Sequence, residues 1–575
     1  MIIKSLFVNN YRMLHNIKMC FDMNGNYLVG KNNIGKTSTL VLIATLLQGK
    51  DFKENDFGDP QKPIIIDLTL SISKYEFGIF DDNFSPDDAN EITLHFVQEN
   101  PDDRIKITDK FSNSVVTSKQ IRKSNFVEYS SNIKPIREND LTVNYGDYKL
   151  IPELVKNYIS SNQPMSLPEN DYNQQLITFL NENLKKIKAF NQNSVSVGFE
   201  MDYGELITRS LSLTDNEGIK FSNLGYGLQF SSLIPLKIID MIISWNKYGK
   251  LTEHLIEDDD GKLCLNIILC IDEPEVHLHP NLQLKLMKYI RTLLSGNDTQ
   301  FNSLLKQLFN INYIHGQFFA VTHSPNILSS NYHEIIRFFT TDDVVQVTSG
   351  STLNFDLKVN KQLERQFPYF ANALFSDRLI IVEGDSELAA LPIFANKMNK
   401  SLIDNNVNIV KSDGVESIPS LHDLFFSLNI STVLISDRDD GKRILNYDNS
   451  FTTTKKSFEE ECFDAMSLSD LNTYLKSYNK IIKNQDYDGR FWFKIFNSEL
   501  KKVLGNSPDK FSSINKIIDG LSADEEREYK AKILNSTEFM ETVMKNKSIV
   551  NGQLIADSLS IIPTVYSDAI KAAIQ

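Results

Sequence analysis

Leu379-Ile380-Ile381-Val382-Glu383-Gly384-Asp385-Ser386-Glu387, answered further on by Val433-Leu434-Ile435-Ser436-Asp437-Arg438-Asp439-Asp440-Gly441, decides how the second half of this chain is read. Each stretch is an apolar strand that stops at carboxylates. Glu383 ends the first strand and Glu387 follows one helical turn later. Asp437 and Asp439 stand two apart, so an extended backbone would project them from one face. If the two strands are neighbours, four carboxylates converge, an arrangement that demands cations. Hard divalent ions such as Mg²⁺ take oxygen ligands, and paired ions clamp the attacking and leaving oxygens of a phosphodiester. Either acidic pair alone would pass for solvated strand ends. Their order, each after an apolar strand, points to metal chemistry.

The front of the chain carries an independent signal. Residues 30–37, Gly-Lys-Asn-Asn-Ile-Gly-Lys-Thr, satisfy the P-loop pattern G-x-x-x-x-G-K-[ST]. An alternating segment ending at Val29 precedes it, and a helix-compatible run follows from Ser38 to Leu47. The loop from Gly30 through Asn33 and Gly35, with Ser38 opening the helix, would cradle phosphates on backbone amides. Lys36 would reach the β and γ phosphates, and Thr37 would offer its hydroxyl to Mg²⁺.

The P-loop's partners lie downstream. Asn266 to Ile271 is an apolar run ending at Asp272-Glu273, as a buried parallel strand should. Asp272 would hold the Mg²⁺ shell and Glu273 would polarise the attacking water. Phe318 to Thr322 reads as another buried strand, delivering His323 as a γ-phosphate sensor. His277 and His279 are spaced poorly for zinc, and no cysteine lies at ligand spacing, so they read as loop residues.

Taken in order, the P-loop, Asp272-Glu273-Pro274-Glu275-Val276-His277-Leu278-His279-Pro280, Thr322-His323-Ser324-Pro325, Glu-Gly-x-x-Glu and Asp-x-Asp resemble the OLD (overcoming lysogenisation defect) family. The resemblance implies an α/β chain that joins an ABC-type ATPase domain, with a helical insertion, to a C-terminal Toprim nuclease domain. Asn9-Asn10-Tyr11-Arg12 resembles the family's opening strand-to-turn, and Ile133 to Arg137 its strand ending in Pro-x-Arg. Gly225 and Gly227 fall where the ABC signature would meet nucleotide across a dimer, although Tyr226 stands between them where serine is usual. The resemblance also implies Glu459 as a further metal ligand, and Lys547 as the lysine that neutralises the scissile phosphate. Gly414 matches a family glycine, with Asp413 beside it in place of a second one. The implied cofactors are ATP and Mg²⁺ or Mn²⁺, one ion at the ATPase site and two at the Toprim site. The implied role is defence against phage, as in Gabija-type or retron-associated systems, with a helicase-like protein or a retron reverse transcriptase as partner.

At 575 residues the chain is long enough for several domains with full cores. It lacks a long uncharged apolar run, so no membrane span is expected. The N-terminus reads as a strand rather than a leader. Four scattered cysteines (Cys20, Cys264, Cys270 and Cys462) suit a reducing cytoplasm. The net charge of −14 is unusual for a DNA-binding protein, since phosphate contacts dominate affinity. The deficit is uneven: residues 465–575 carry fifteen Lys or Arg against fourteen Asp or Glu. The charge argues against tight, non-specific coating of DNA.

The expected organisation is an ATPase domain over 1–345, a linker over 346–368 and a nuclease domain over 369–575. A polar helical insertion is expected over about 140–195, where Leu176, Leu180, Leu184 and Ile187 form one stripe. That stripe could pack on its own domain or dimerise. Two functions compete: an ATP-binding, metal-dependent DNA endonuclease, and an ATP-switched clamp on DNA with an inactive Toprim domain. A topoisomerase or primase fits less well, without a set nucleophilic tyrosine or a zinc module. Closure of an ABC-type site between protomers, and two cuts for a double-strand break, call for a homodimer or homotetramer.

Overall fold

The computed structural model describes residues 1–73, 76, 78–80, 85, 88, 90–130, 150–151, 153–154, 170–199, 211–214, 226–276, 278–412, 414–439 and 446–575. Of these, the side chains of 170–173, 199, 211–214 and 226–231 are left aside. The chain divides into two units, Met1–Asn354 and Phe355–Gln575.

In the first unit the strands are β1 (Ile2–Asn9), β2 (Ile17–Cys20), β3 (Gly25–Val29), β4 (Ile64–Ser71), β5 (Glu91–Gln98), β6 (Lys106–Asp109) and β7 (Asn125–Ser130). They continue with β8 (Ser196–Phe199), β9 (Leu211–Thr214), β10 (Leu255–Glu257), β11 (Leu263–Asp272), β12 (Tyr313–Val321), β13 (Ile335–Thr341) and β14 (Val344–Ser349). One sheet is antiparallel, in the order β2-β1-β4-β5-β6. Burial alternates along β4, as it must when only one face of a sheet is packed. The other sheet runs β10-β11-β12-β3-β13-β14, and β7 also pairs with β11. Its centre is parallel: β3 lies between β12 and β13, and β11 between β12 and β7. These central strands are apolar almost throughout because both faces are covered. The helix Lys36–Gln48 shares one core with both sheets.

The stretch 346–368, expected as the linker, contains the boundary between the units at Asn354 and Phe355, but it is not irregular: it holds the end of β14, a 3-10 turn at Gly350–Thr352 and most of a helix, Leu357–Phe370. The apolar stripe of the insertion is not a free face either. Leu180, Leu184 and Ile187 are fully buried within the chain, and the helix Asn170–Leu184 packs on β8. The Asn181 side chain fixes that contact by donating to Val197 O (3.1 Å) and accepting from Val197 N (2.5 Å). Ile187 lies past the helix end, leading into a short helix Lys188–Gln192. Of the stripe only Leu176 is partly exposed, so of its two readings packing on its own domain is the one the fold favours.

The second unit holds a parallel sheet of β15 (Arg378–Val382), β16 (Val407–Lys411), β17 (Ser431–Ser436) and β18 (Ser450–Thr452), in the order β16-β15-β17-β18. β15 and β17 are therefore neighbours, with Ile381 opposite Leu434. The carboxylates that follow both strands emerge at the same edge. The helix Asp385–Lys397 is crossed by Ile549–Ser558, and Gly552 makes that possible. A Cβ there would stand 2.3 Å from Ser386 O, so only glycine lets the two backbones come this close.

Candidate functional site

Two sites form, one in each unit. In the first, β3 runs into the phosphate loop and the helix Lys36–Gln48 begins directly after Gly35. Gly30, at φ +141°, passes so close to β13 that a Cβ would lie 2.4 Å from Phe338 O. Asn33 adopts φ 61°, a left-handed conformation that asparagine tolerates better than most residues. Lys36 is only 4% exposed, and its ammonium donates to Gly30 O (2.8 Å) and to Lys31 O. Burial lowers its pKa to about 8, against the pull of Glu273 and Asp272. Those two acids end β11 opposite the loop. Thr37 Oγ1 donates to Asp272 Oδ1 at 3.2 Å, so the two groups expected around one Mg²⁺ already touch. Burial, then the charges of Glu273, Glu128 and Glu275, push the Asp272 carboxyl up, while Thr37 opposes them. Glu273 is held at φ 50°, a strained conformation for glutamate, with its N–H on Val321 O (3.0 Å).

His323 follows β12 and is exposed, and burial followed by the Lys36 cation lowers its pKa. Its placement depends on a residue without an assigned role in the sequence reading. The Glu275 carboxylate accepts from His323 N (2.6 Å) and Thr322 Oγ1 (2.9 Å), tying β12 to the segment after β11. The only signal was its place in the Asp-Glu-Pro-Glu string. Arg12, at the turn after β1, donates to Ser38 Oγ (3.2 Å) while pairing with Asp56 (2.8 Å). His279 caps the helix Pro280–Leu294, a structural role, whereas His277 lies outside the described residues. So do Gly225 and Ile133 to Arg137; Gly227 falls in the first turn of the helix Tyr226–Lys247.

The second site gathers at the edge where β15 and β17 end. Glu383 is half-buried, with Oε2 accepting from Asp437 N at 3.4 Å. Glu387, in the first turn of Asp385–Lys397, is 3% exposed, and Asp437 6%. Glu459, 1% exposed in the helix Phe458–Ala465, accepts from Ser386 Oγ (2.8 Å) and Ser457 Oγ (3.0 Å). Lys547 Nζ stands 3.9 Å from Asp437 Oδ2. Asn551 fixes the turn that presents this lysine. Its amide donates to Asn546 O (2.6 Å) and its carbonyl accepts from Tyr474 OH (2.6 Å).

The charges are in conflict. Burial first, then Glu459 and Glu383, raises the Glu387 pKa to about 7. Burial first, then Glu387 and Glu383, raises that of Asp437 to about 8. Burial would lower the Lys547 pKa, but Glu459, Asp437, Glu387 and Glu383 together raise it. Asp439 corrects the sequence reading. β17 stops at Ser436, and Asp439 takes φ 39° and is exposed, so it does not share an extended face with Asp437. Its charge still acts on Glu383. Asp413 lies outside the described residues.

The donor set suits a hard divalent cation: every candidate ligand is a carboxylate, and Asp437 Oδ1 is buried without a partner among the described residues. As the side chains stand, no three or more described His, Cys, Asp or Glu residues are drawn around one point. The four cysteines are free, and among the described residues no helix is long and apolar enough to cross a membrane.

Residues 374–439 match the profile described as the overcoming lysogenization defect protein-like Toprim domain. An AAA ATPase domain profile matches 1–189 and 148–328. The endonuclease GajA of Bacillus cereus (strain VD045) is 25% identical over 423 residues, which cover 67% of this chain and 66% of that relative, just under two thirds of its length. The Old nuclease of Escherichia phage P2 is 22% identical over 501 residues, 76% of each chain. Among solved structures, an SMC head bound to the C-terminal winged-helix domain of ScpA is 12% identical, covering 61% of this chain and 97% of that one, with a TM-score of 0.35 too low to carry weight. The ATPase profile covers more than half of the chain, so this chain belongs to the AAA ATPase domain family, and it joins that domain to an overcoming lysogenization defect protein-like Toprim domain.

Proposed function

We propose that this chain is an ATP-binding, divalent-metal-dependent DNA endonuclease whose ATPase domain regulates or positions cleavage. One juxtaposition supports the reading most: Glu383, Glu387, Asp437 and Glu459 come from separate elements to one edge, beside the amine of Lys547. A bound Mg²⁺ or Mn²⁺ pair would supply an activated water and neutralise charge on the scissile phosphate. Asp437, Glu387 and Glu459, the most buried of the set, would hold the ions. Glu383, nearer the rim, orients or deprotonates the attacking water. Lys547, 63% exposed, balances the phosphate from the open side. A clamp with an inactive Toprim domain is disfavoured, because no acid of the set has been lost.

At the first site Lys36 and the loop amides hold the phosphates, while Thr37 and Asp272 take the single ion there. Glu273 polarises water, and His323 reads the γ phosphate. ATP, when bound, supplies the phosphoanhydride whose presence or hydrolysis changes the state of the domain. A homodimer or homotetramer completes the arrangement, and light scattering on the full chain tests it. Leu180, Leu184 and Ile187, buried within the chain, are not the residues that would form that interface. Defence against phage in the cytoplasm, beside a helicase-like protein or a retron reverse transcriptase, is the role that the likeness to OLD-type nucleases suggests. Plating phage on cells carrying the wild-type or the Glu383→Ala chain tests it.

The deciding experiment is supercoiled plasmid with Mg²⁺ or Mn²⁺, with and without ATP. Wild type should nick, and Glu383→Ala should not, while ATP binding persists in both. Nicking at wild-type rate by Glu383→Ala would overturn the assignment.

A further inference from the structure

A second recess lies in the Phe355–Gln575 unit, between the helix Leu357–Phe370 and the open edge of β16, with a volume of about 590 Å³. That volume falls within the range of small-ligand sites. Its wall contains Arg365, Gln366, Tyr369, Asp385, Asn408 and Lys411. It adjoins the acidic centre, since Asp385 lies two residues from both Glu383 and Glu387.

Gln366 singles the recess out. It is 5% exposed, yet neither Nε2 nor Oε1 has a hydrogen-bond partner among the described residues. Burying an amide with both ends unmatched is costly, so such a group marks a missing partner that both donates and accepts. Tyr369, three residues on in the same wall, is 79% exposed, so its ring face is open to a stacking partner. Lys411 and Arg365 add two cations to the wall against one carboxylate, Asp385, which pairs with Lys411 at 2.8 Å. A planar ring to stack on, an amide that pairs with a donor–acceptor edge and two cations for phosphate are the requirements of a nucleotide.

We propose that this recess binds one nucleotide with its base unstacked: the base lies on Tyr369, its polar edge pairs with the Gln366 amide, and its phosphate faces Lys411 and Arg365. The inference builds on the nuclease reading, in which DNA passes the neighbouring acidic centre. The chemistry of recognition is the same whether the DNA strand supplies the nucleotide or it comes free from solution, and the test separates the two.

The test uses the full-length chain with Tyr369→Ala and Gln366→Leu. The first removes an exposed ring. The second replaces an unmatched buried amide by an apolar group of similar size and should not lower the melting temperature. Binding of a single-stranded oligonucleotide is followed by anisotropy with Ca²⁺ in place of Mg²⁺, and an abasic position is scanned along the strand. If the DNA strand supplies the nucleotide, each variant binds about tenfold more weakly. One abasic position then weakens wild type by a similar factor and leaves Tyr369→Ala unaffected. If the nucleotide is free, oligonucleotide affinity is unchanged, but deoxynucleoside monophosphates bind a Lys36→Ala chain and lose about tenfold when Tyr369→Ala is added. Unchanged affinity for both probes in both variants overturns the proposal. Plasmid nicking by wild type, measured alongside, separates that outcome from failure of the nuclease reading itself.

Discussion

Replacing Asp437 by asparagine should make the metal-free protein more stable while removing its metal-dependent activity. Asp437 is 6% exposed, and its Oδ1 has no partner among the described residues. Burial, then Glu387 and Glu383, lifts its pKa from 3.8 to about 8. An acid whose folded pKa lies above its unfolded one costs nothing below the unfolded value. The penalty grows as pH rises and is complete above the folded value. At pH 7 the folded chain must keep Asp437 protonated while the unfolded chain ionises it, at a cost of about 4 kcal/mol. Asparagine keeps the shape without the charge but leaves a polar amide poorly matched, which returns about 1–2 kcal/mol. The net gain of about 2–3 kcal/mol corresponds to a rise of roughly 4–10 °C in Tm for a unit of this size. The assay is thermal unfolding of both proteins in EDTA at pH 4, 6 and 8, then with Mg²⁺ at pH 8. At pH 4 the charge penalty is nearly absent, so the amide mismatch should leave Asp437→Asn about 1 kcal/mol less stable than wild type; the order should reverse as pH rises, with the variant's advantage largest at pH 8, and Mg²⁺ should raise the wild-type Tm alone. An Asp437→Asn protein that melts below wild type in EDTA at pH 8 would refute the conflict of charges. Equal Mg²⁺ stabilisation of both proteins would place the ions elsewhere.

Other outcomes follow from named contacts. Lys36→Ala should lose nucleotide binding with the charge-assisted phosphate contact, whereas Glu273→Gln should retain nucleotide but slow hydrolysis; isotope-labelled ATP measures both. Glu275→Ala should release His323 N and Thr322 Oγ1, reducing hydrolysis more than nucleotide affinity, with partial recovery in Glu275→Gln; steady-state kcat and KM separate the effects. Gly552→Ala forces a Cβ to 2.3 Å from Ser386 O, so it should abolish nicking or lower the Tm by several degrees, while ATP binding in the other unit persists. Leu180→Asp buries an unpaired charge at a fully covered position and should destabilise the first unit by about 3–5 kcal/mol, seen as early melting rather than as a smaller oligomer.

The sequence by itself determined the chemistry at strand ends. A P-loop, an acidic strand terminus and the Glu-Gly-x-x-Glu and Asp-x-Asp motifs are local patterns, and local backbone rules carry them faithfully. Gly25 to Gln48 folds as a strand–loop–helix, and Glu387 stands in the first turn of the helix that Glu383 precedes. The same rules misjudged Asp439, because whether a strand continues past Ser436 depends on its neighbours rather than on two-residue periodicity. They also left open the Leu180, Leu184 and Ile187 stripe, since an amphipathic pattern says that a face is covered but not by what. Only the tertiary structure placed β15 beside β17, joined Lys547 to Asp437 and gave Glu275 its task of holding His323. Those contacts join residues far apart in the chain. They depend on a glycine at 552 that lets two helices touch and on sheet order, and both are decided by packing the whole core rather than by any one segment.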